Sequence, residues 1–488
     1  MSYSSHALAE ERRAPADLWL KLLKYVGLLL PYVSAELLAY APTASYLTAW
    51  FGSLGILYVS ITGKIERLPT DRPFRHQILR PIVFTQGIFV SYMALTSIFY
   101  FMDQQGYFYL QYDPALTAPT HEMALLAEAQ RMYVLGHAAL VVGMLLFMDY
   151  RTSGRWQLNT RMPLPQLTLV LAAGAFCGDY IFGLIPGLSK IASRLSTLSF
   201  IASVLSLVLS VREKRFGFVL LNLVIYGLNF MEALVSGWKE QILVVVLLLG
   251  LFAYPYYKRT VTVAAPVVIF IFFAFVPTYN SALRTLAWEE GVKSSRATSI
   301  AYERMQNADL NDIKSSSWTF LVKRSTLASN FTVYLRQTPE KYGFFGLEFV
   351  ERGVKSIVPR VVWPEKPNLE RLSMQRVYDY GVASPRSPIS AKPHFITDSY
   401  LSGGVPGVYF FCLTYGTLAS LASRLAERWF GGYLIGTALL YTSFFQIMWK
   451  GGAFEFLFPT VFWSFIIMYA LFLLGKYTGV IVPASRNL

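Results

Sequence analysis

Twelve apolar runs constrain this chain more than any other feature. They lie near 18–39, 43–62, 81–102, 127–149, 164–185, 190–211, 216–236, 240–257, 261–279, 399–423, 430–449 and 455–475. Each approaches or exceeds the about 18 residues that carry a helix across a bilayer core. A water-free core leaves backbone groups no partner outside the segment, so apolar spans of this length fold as helices. Only 15% of the residues are charged, against about 25% in an ordinary soluble domain. The expected fold is an all-α polytopic membrane protein with about 12 transmembrane helices. Residues 1–17 are polar, and the first apolar run is followed at once by a second. That run therefore reads as an integral span and not as a cleaved leader.

Positive charge alternates along the short connections. Lys64, Arg67, Arg72, Arg75 and Arg80 follow the second run, Arg151, Arg155 and Arg161 the fourth, and Arg212, Lys214 and Arg215 the sixth. The connection 103–126 has no Lys or Arg. The positive-inside rule then predicts that both termini are cytoplasmic. The chain divides into a tail (1–17), nine spans (18–279), a large outer segment (280–398), three spans (399–476) and a second tail (477–488).

The segment 280–398 carries 17 Lys and Arg against 12 Asp and Glu. Long outer segments escape the positive-inside rule, so this basic excess suits anionic headgroups or phosphates. Within it, 316–337 shows Phe320, Leu327, Phe331 and Tyr334 at helical spacing, with Arg324 on the same face. A second amphipathic stretch carries Leu347, Val350, Val354 and Ile357, and predicts a helix lying on the membrane surface. Pro359 ends it and opens Pro359-Arg360-Val361-Val362-Trp363-Pro364-Glu365-Lys366-Pro367. Three prolines fix φ and remove three donors, so this is a stiff loop presenting Arg360 and Lys366. Residues 368–398 have little periodicity and lead to His394 and Asp398 at the mouth of the tenth run. There Gly403-Gly404-Val405-Pro406-Gly407 predicts a bend or a close backbone approach.

The chain contains no nucleotide loop, dinucleotide fingerprint or metal-ligand spacing. It shows no clear Ser-His-Asp arrangement either. Cys177 and Cys412 fall inside apolar runs and read as packing residues. Glu36, Arg131, His137, Asp179, Arg194 and Glu232 interrupt the spans and are expected to face the bundle interior.

The run Val358–Pro367 resembles a motif of the bacterial oligosaccharide repeat-unit polymerases (O-antigen polymerase, Wzy-type). These belong to the glycosyltransferase C superfamily. Ser236-Gly237-Trp238-Lys239 resembles a Ser/Gly-basic turn of that family, and Asp398-Ser399-Tyr400-Leu401-Ser402-Gly403-Gly404 its entry to the span after the large loop. Here Asp398 stands in place of Glu, and Ser402-Gly403 in place of Asn-Phe. The resemblance covers roughly 236–418. It implies metal-independent transfer of a growing glycan from polyprenyl pyrophosphate to the next lipid-linked unit. It also implies the inner membrane of a bacterium, with the site on the periplasmic side. The implied partners are undecaprenyl-pyrophosphate-linked oligosaccharides, membrane lipids, a flippase and a chain-length regulator, and no nucleic acid. Guanidinium groups bind phosphate oxygens bidentately and stay charged. Arg284, Arg324, Arg352, Lys366 and Lys239 are accordingly the candidate pyrophosphate ligands. Trp363 is a candidate sugar-stacking ring, Arg360 a stabiliser of the leaving group, and His394 or Asp398 the base that activates the acceptor hydroxyl. A glycan ligase of the same superfamily and a polysaccharide or lipid transporter are the rival readings.

Overall fold

The computed structural model describes residues 19–149, 155–185, 187–235, 239–360, 362–385, 391–449 and 451–484. In chain order the principal helices begin with α1 (Leu30–Leu37), α2 (Pro42–Ile61), α3 (Phe84–Gln104), α4 (Thr120–Leu146) and α5 (Leu164–Gly183). They continue with α6 (Ser189–Arg212), α7 (Phe216–Val235), α8 (Lys239–Ala253) and α9 (Lys258–Arg284). The polar segment forms α10 (Ser294–Gln306), α11 (Leu310–Lys323), α12 (Ala328–Gln337), α13 (Glu348–Lys355) and α14 (Leu369–Asp379). Two long helices close the chain, α15 (Phe395–Trp429) and α16 (Phe454–Tyr477). Strands are few. β1 (Gln105–Phe108) pairs antiparallel with β2 (Gln111–Thr117), and β3 (Trp156–Leu158) with β4 (Ile481–Pro483).

Among the described residues, 8 helices are long and apolar enough to cross a membrane. Of the other four expected spans, the first and the eleventh differ for local reasons, and the seventh and eighth border residues that lie outside the described ones. The first is interrupted by a turn at 28–29 ahead of Pro31, which lacks a donor to continue the helix. The apolar part of α7 is described over Phe216–Leu228, and α8 has 15 residues. The run 430–449 starts with Gly431 and Gly432 at positive φ and continues as a π-helix (Gly436–Tyr441) and a 3-10 turn (Gln446–Met448). Its backbone is irregular but buried within protein, where such winding is tolerated.

Helix α4 is the hub. It is apolar on every face, the pattern of a helix surrounded by others, and 94% of its most apolar window is buried. Helices α2, α12 and α15 pack on it. The α4–α15 crossing brings backbones into contact. A Cβ on Gly416 would lie 2.0 Å from the Leu140 carbonyl oxygen, and one on Gly143 would lie 2.2 Å from that of Leu413. Small residues allow such crossings where lipid supplies no hydrophobic drive. Cys412 is buried in this crossing, while Cys177 is exposed on α5. Two of the ionisable residues in the spans pair, Arg131 Nε with Glu36 at 2.8 Å. His137 is fully buried, with its Nε2 3.0 Å from the Gln86 side-chain nitrogen.

The two ends of the bundle are distinct. At one, Arg80 grips Glu427 (3.0 and 2.8 Å) and Asp71 (2.8 Å twice), and the β3–β4 pair lies beside Gly431. Lys21 bonds Glu66 in the same connection as Asp71. The polar segment covers the other end. Trp318 Nε1 donates to Asp103 (3.3 Å), Arg336 pairs with Glu122 (2.5 Å), and Trp463 Nε1 donates to the Ile357 carbonyl (3.0 Å). Asp71, Arg80 and Glu427 thus share one end, and Asp103, Glu122 and Ile357 the other.

The helix expected over 316–337 is two helices. Ser325 and Thr326 bond nearby backbone groups through their hydroxyls, an alternative to the helical ladder. Arg324 caps α11 at this break and is exposed, so it does not lie within a continuous apolar face. Helix α13 docks on α16 through Gly353, where a Cβ would meet Phe458 at 2.3 Å. Leu347 and Val354, on its expected apolar face, are 71% and 52% exposed. The Gly403–Gly404 bend is present. Gly404 (φ 63°, ψ −143°) adopts a conformation essentially restricted to glycine, and the ring of Phe344 lies against it.

Candidate functional site

A cavity of about 250 Å3 opens at the end covered by the polar segment. Its walls come from the 342–345 segment (Tyr342, Phe345), α13 (Arg352) and α14 with its C-cap (Leu372, Gln375, Arg376, Asp379, Tyr380). The sequence builds α14 with both ends signalled. Asn368 Oδ1 accepts from the amides of Glu370 and Arg371 at the start. At the finish, Gly381 takes φ 70°, and the amides of Gly381 and Val382 bond the Tyr378 and Val377 carbonyls, a Schellman closure. The spacing Leu372, Arg376, Tyr380 then places a guanidinium on the face that α14 turns inward.

Arg376 is only 4% exposed. Its Nη2 donates to Glu455 (3.0 Å) and lies 3.5 Å from Asp398 Oδ1, and its guanidinium sits 4.0 Å over the Phe349 ring. Burial opposes the Arg376 charge, but the Asp398 and Glu455 carboxylates outweigh that cost and hold its pKa above the ordinary arginine value. Both acids are fully buried and occupy the first turns of α15 and α16, where the helix dipoles favour negative charge. Asp398 Oδ2 also accepts from the Phe454 amide (2.9 Å), one of the orphan donors that open α16. The Arg376–Asp398–Glu455 cluster thus ties α14 to two long helices. Among the described residues, Arg376 Nε and Nη1 have no hydrogen-bond partner.

The residues singled out from sequence are distributed around this cluster. Asp398 is inside it, sealed from solvent, with Oδ2 hydrogen-bonded to the Phe454 amide and Oδ1 in an ion pair with Arg376 but without a hydrogen bond. His394 is the N-cap of α15, one turn away, with its ring edge-on to Tyr92 and its Nδ1 3.3 Å from the Gly451 carbonyl oxygen. Arg352 lines the cavity and pairs with Glu348 one turn earlier on α13. The proline loop 356–368 joins the two cavity-lining helices. Lys366 closes it from within, with Nζ donating to the Ser356 and Val358 carbonyls (2.7 and 2.8 Å). Burial and the nearby Arg360 charge push the Lys366 pKa below its ordinary value. Its ammonium is committed to the loop backbone, which differs from the substrate-facing role expected for it. Arg360 is exposed on the outside of the loop, and among the described residues no carboxylate pairs with it. Trp363 is half-buried in the same loop. Arg284 at the end of α9 and Arg324 at the end of α11 feel each other's charge, but neither lines the cavity. The 236–238 turn and the Lys239 side chain lie outside the described residues.

Sequence reasoning missed Arg376 as the anchor, Glu455 as its partner, and the Tyr342 and Tyr380 walls. The available signals were an arginine at i+4 spacing between Leu372 and Tyr380, and an acid opening the last apolar run.

The fold and site define a class: a helical membrane protein with one polar segment folded over one end of its bundle and a buried arginine–carboxylate cluster backing a cavity there. The chain belongs to the family described as a domain of unknown function (DUF8712), whose model matches residues 30–483. No curated protein and no solved structure matches it significantly.

Proposed function

We propose that the protein polymerises lipid-linked oligosaccharide repeat units at the outer face of a bacterial inner membrane. The observation that carries this reading is the cavity itself. Aromatic rings, guanidinium groups, a carboxylate and an amide line one small recess at the end of an apolar bundle, and glycan recognition uses this chemistry. The loop joining its two helices presents Arg360, which pairs with no carboxylate among the described residues, so its charge is offered to a diphosphate.

In the proposed reaction, a hydroxyl oxygen of the acceptor unit attacks the anomeric carbon of the donor glycan. The bond from that carbon to the pyrophosphate oxygen breaks, and polyprenyl pyrophosphate leaves with the electron pair. The hydroxyl proton passes to a base, for which His394 at the mouth of α15 is the candidate. Arg360 stabilises the charge developing on the leaving group. Asp398 acts as a positioning residue, since it holds Arg376 and the start of α16.

The test uses the purified full-length protein in lipid nanodiscs with defined lipid-linked repeat units. A ladder of longer lipid-linked chains is expected, and Arg360→Ala should reduce extension at least 100-fold while leaving the unfolding midpoint unchanged. Absence of extension across several repeat units by a folded preparation refutes the proposal. A single transfer to a different acceptor would indicate a ligase.

A further inference from the structure

The charges around the cavity do not suit an anion. Arg352 is paired with Glu348, and Arg376 with Asp398 and Glu455. Asp379 contributes a further carboxylate to the wall. Each guanidinium lining the cavity is therefore already met by a carboxylate, and with Asp379 in the wall and Lys341 beside Tyr342 no excess of positive charge is left to draw in a phosphate or uronate. The remaining chemistry suits an uncharged sugar. Tyr342 is half-buried and packs at 4.5 Å on the 2%-exposed Tyr380, so Tyr342 is the ring left to meet the C–H face of a pyranose. Asp379 Oδ1 accepts from Gln375 at 2.7 Å, which fixes the carboxylate and leaves Oδ2 for a hydroxyl donor. At about 250 Å3 the cavity is smaller than the ~300 Å3 at which drug-sized ligand pockets begin, a size that takes one sugar ring.

We infer that this cavity is the subsite for a single uncharged sugar ring of the repeat unit, and that the pyrophosphate is bound outside it. The inference rests on the polymerase reading for its source of sugar, though not for its chemistry. It is tested on the full-length protein by saturation-transfer NMR with methyl glucoside, methyl galactoside, methyl N-acetylglucosaminide, glucuronate and inorganic pyrophosphate as probes. At least one uncharged glycoside should bind, and Asp379→Asn and Tyr342→Ala should each weaken it at least 5-fold. Asp379 is exposed, so its replacement tests recognition without disturbing the core. Glucuronate or pyrophosphate binding that competes with the glycoside and tightens in Asp379→Asn would overturn the inference. So would the lack of any Asp379-dependent glycoside signal. Extension of lipid-linked units without such a signal refutes the subsite alone. The signal without extension refutes the polymerase alone.

Discussion

Replacing Arg376 by Met tests whether the buried cluster holds the polar segment to the bundle. The substitution keeps side-chain length and apolar contact but removes the charge. Asp398 and Glu455, both 0% exposed, would then stand beside each other without a cation. Removing one partner of a buried ion pair typically costs about 3–5 kcal/mol, because the remaining charge stays desolvated. Loss of the cation–π attraction to Phe349 adds to this cost, since a desolvated cation–π pair is worth about 2 kcal/mol. Proton uptake by one carboxylate returns part of it, so about 4 kcal/mol is expected, a loss of roughly a thousandfold in the folding equilibrium. The assay is denaturant unfolding in mixed micelles, followed by intrinsic fluorescence. Adding Glu455→Gln to Arg376→Met removes one of the stranded charges and should restore at least about 1 kcal/mol, within the usual range of coupling between contacting residues. A loss below about 1 kcal/mol for Arg376→Met, or a double variant weaker than the single, would refute the reasoning.

Three further outcomes follow from the geometry. Lys366→Met should cost about 1.5–3 kcal/mol, the scale for hydrogen bonds to a charged group, and should speed limited proteolysis of 356–368 with little change elsewhere. Gly416→Val places side-chain atoms where the Leu140 carbonyl lies and should abolish folded protein in a size-exclusion profile, whereas Gly174→Ala, which meets nothing within 4 Å, should be tolerated. Burial pushes the Asp71 carboxyl up, but hydrogen bonds from Arg80 and Arg72 outweigh it and hold the carboxyl at about 2, below its ordinary 3.8. A depressed carboxylate stabilises the fold above its unfolded pKa and loses that contribution as pH falls toward the folded one. Unfolding midpoints should therefore drop between pH ~5 and pH 2, and Asp71→Asn should flatten that slope.

The bend at Gly403–Gly404 and the helix break at the proline loop were legible in sequence because glycine and proline act on their own backbone. The break at Ser325–Thr326 was not, because hydroxyl competition with a helix is decided by a few tenths of a kcal/mol and by what packs on either side. The inward cation was misplaced for a related reason. Arg324 shares the apolar face of a continuous 316–337 helix in the sequence pattern, and once that helix breaks it faces outward. Arg376 looked like one cation among several in an aperiodic stretch, and it is the one enclosed.

The amino-acid sequence by itself determined that this chain is a bundle of apolar helices with one long polar segment between spans. Helix formation across an apolar solvent depends on composition within about 20 residues, so local reading suffices. Tertiary structure alone decided the site. Arg376 and Glu455 are separated by 79 positions, and neither residue carries a local mark of the other. Their pairing exists because α13 and α14 dock over the first turns of α15 and α16. There, desolvation makes each charge costly alone and the cluster stable together.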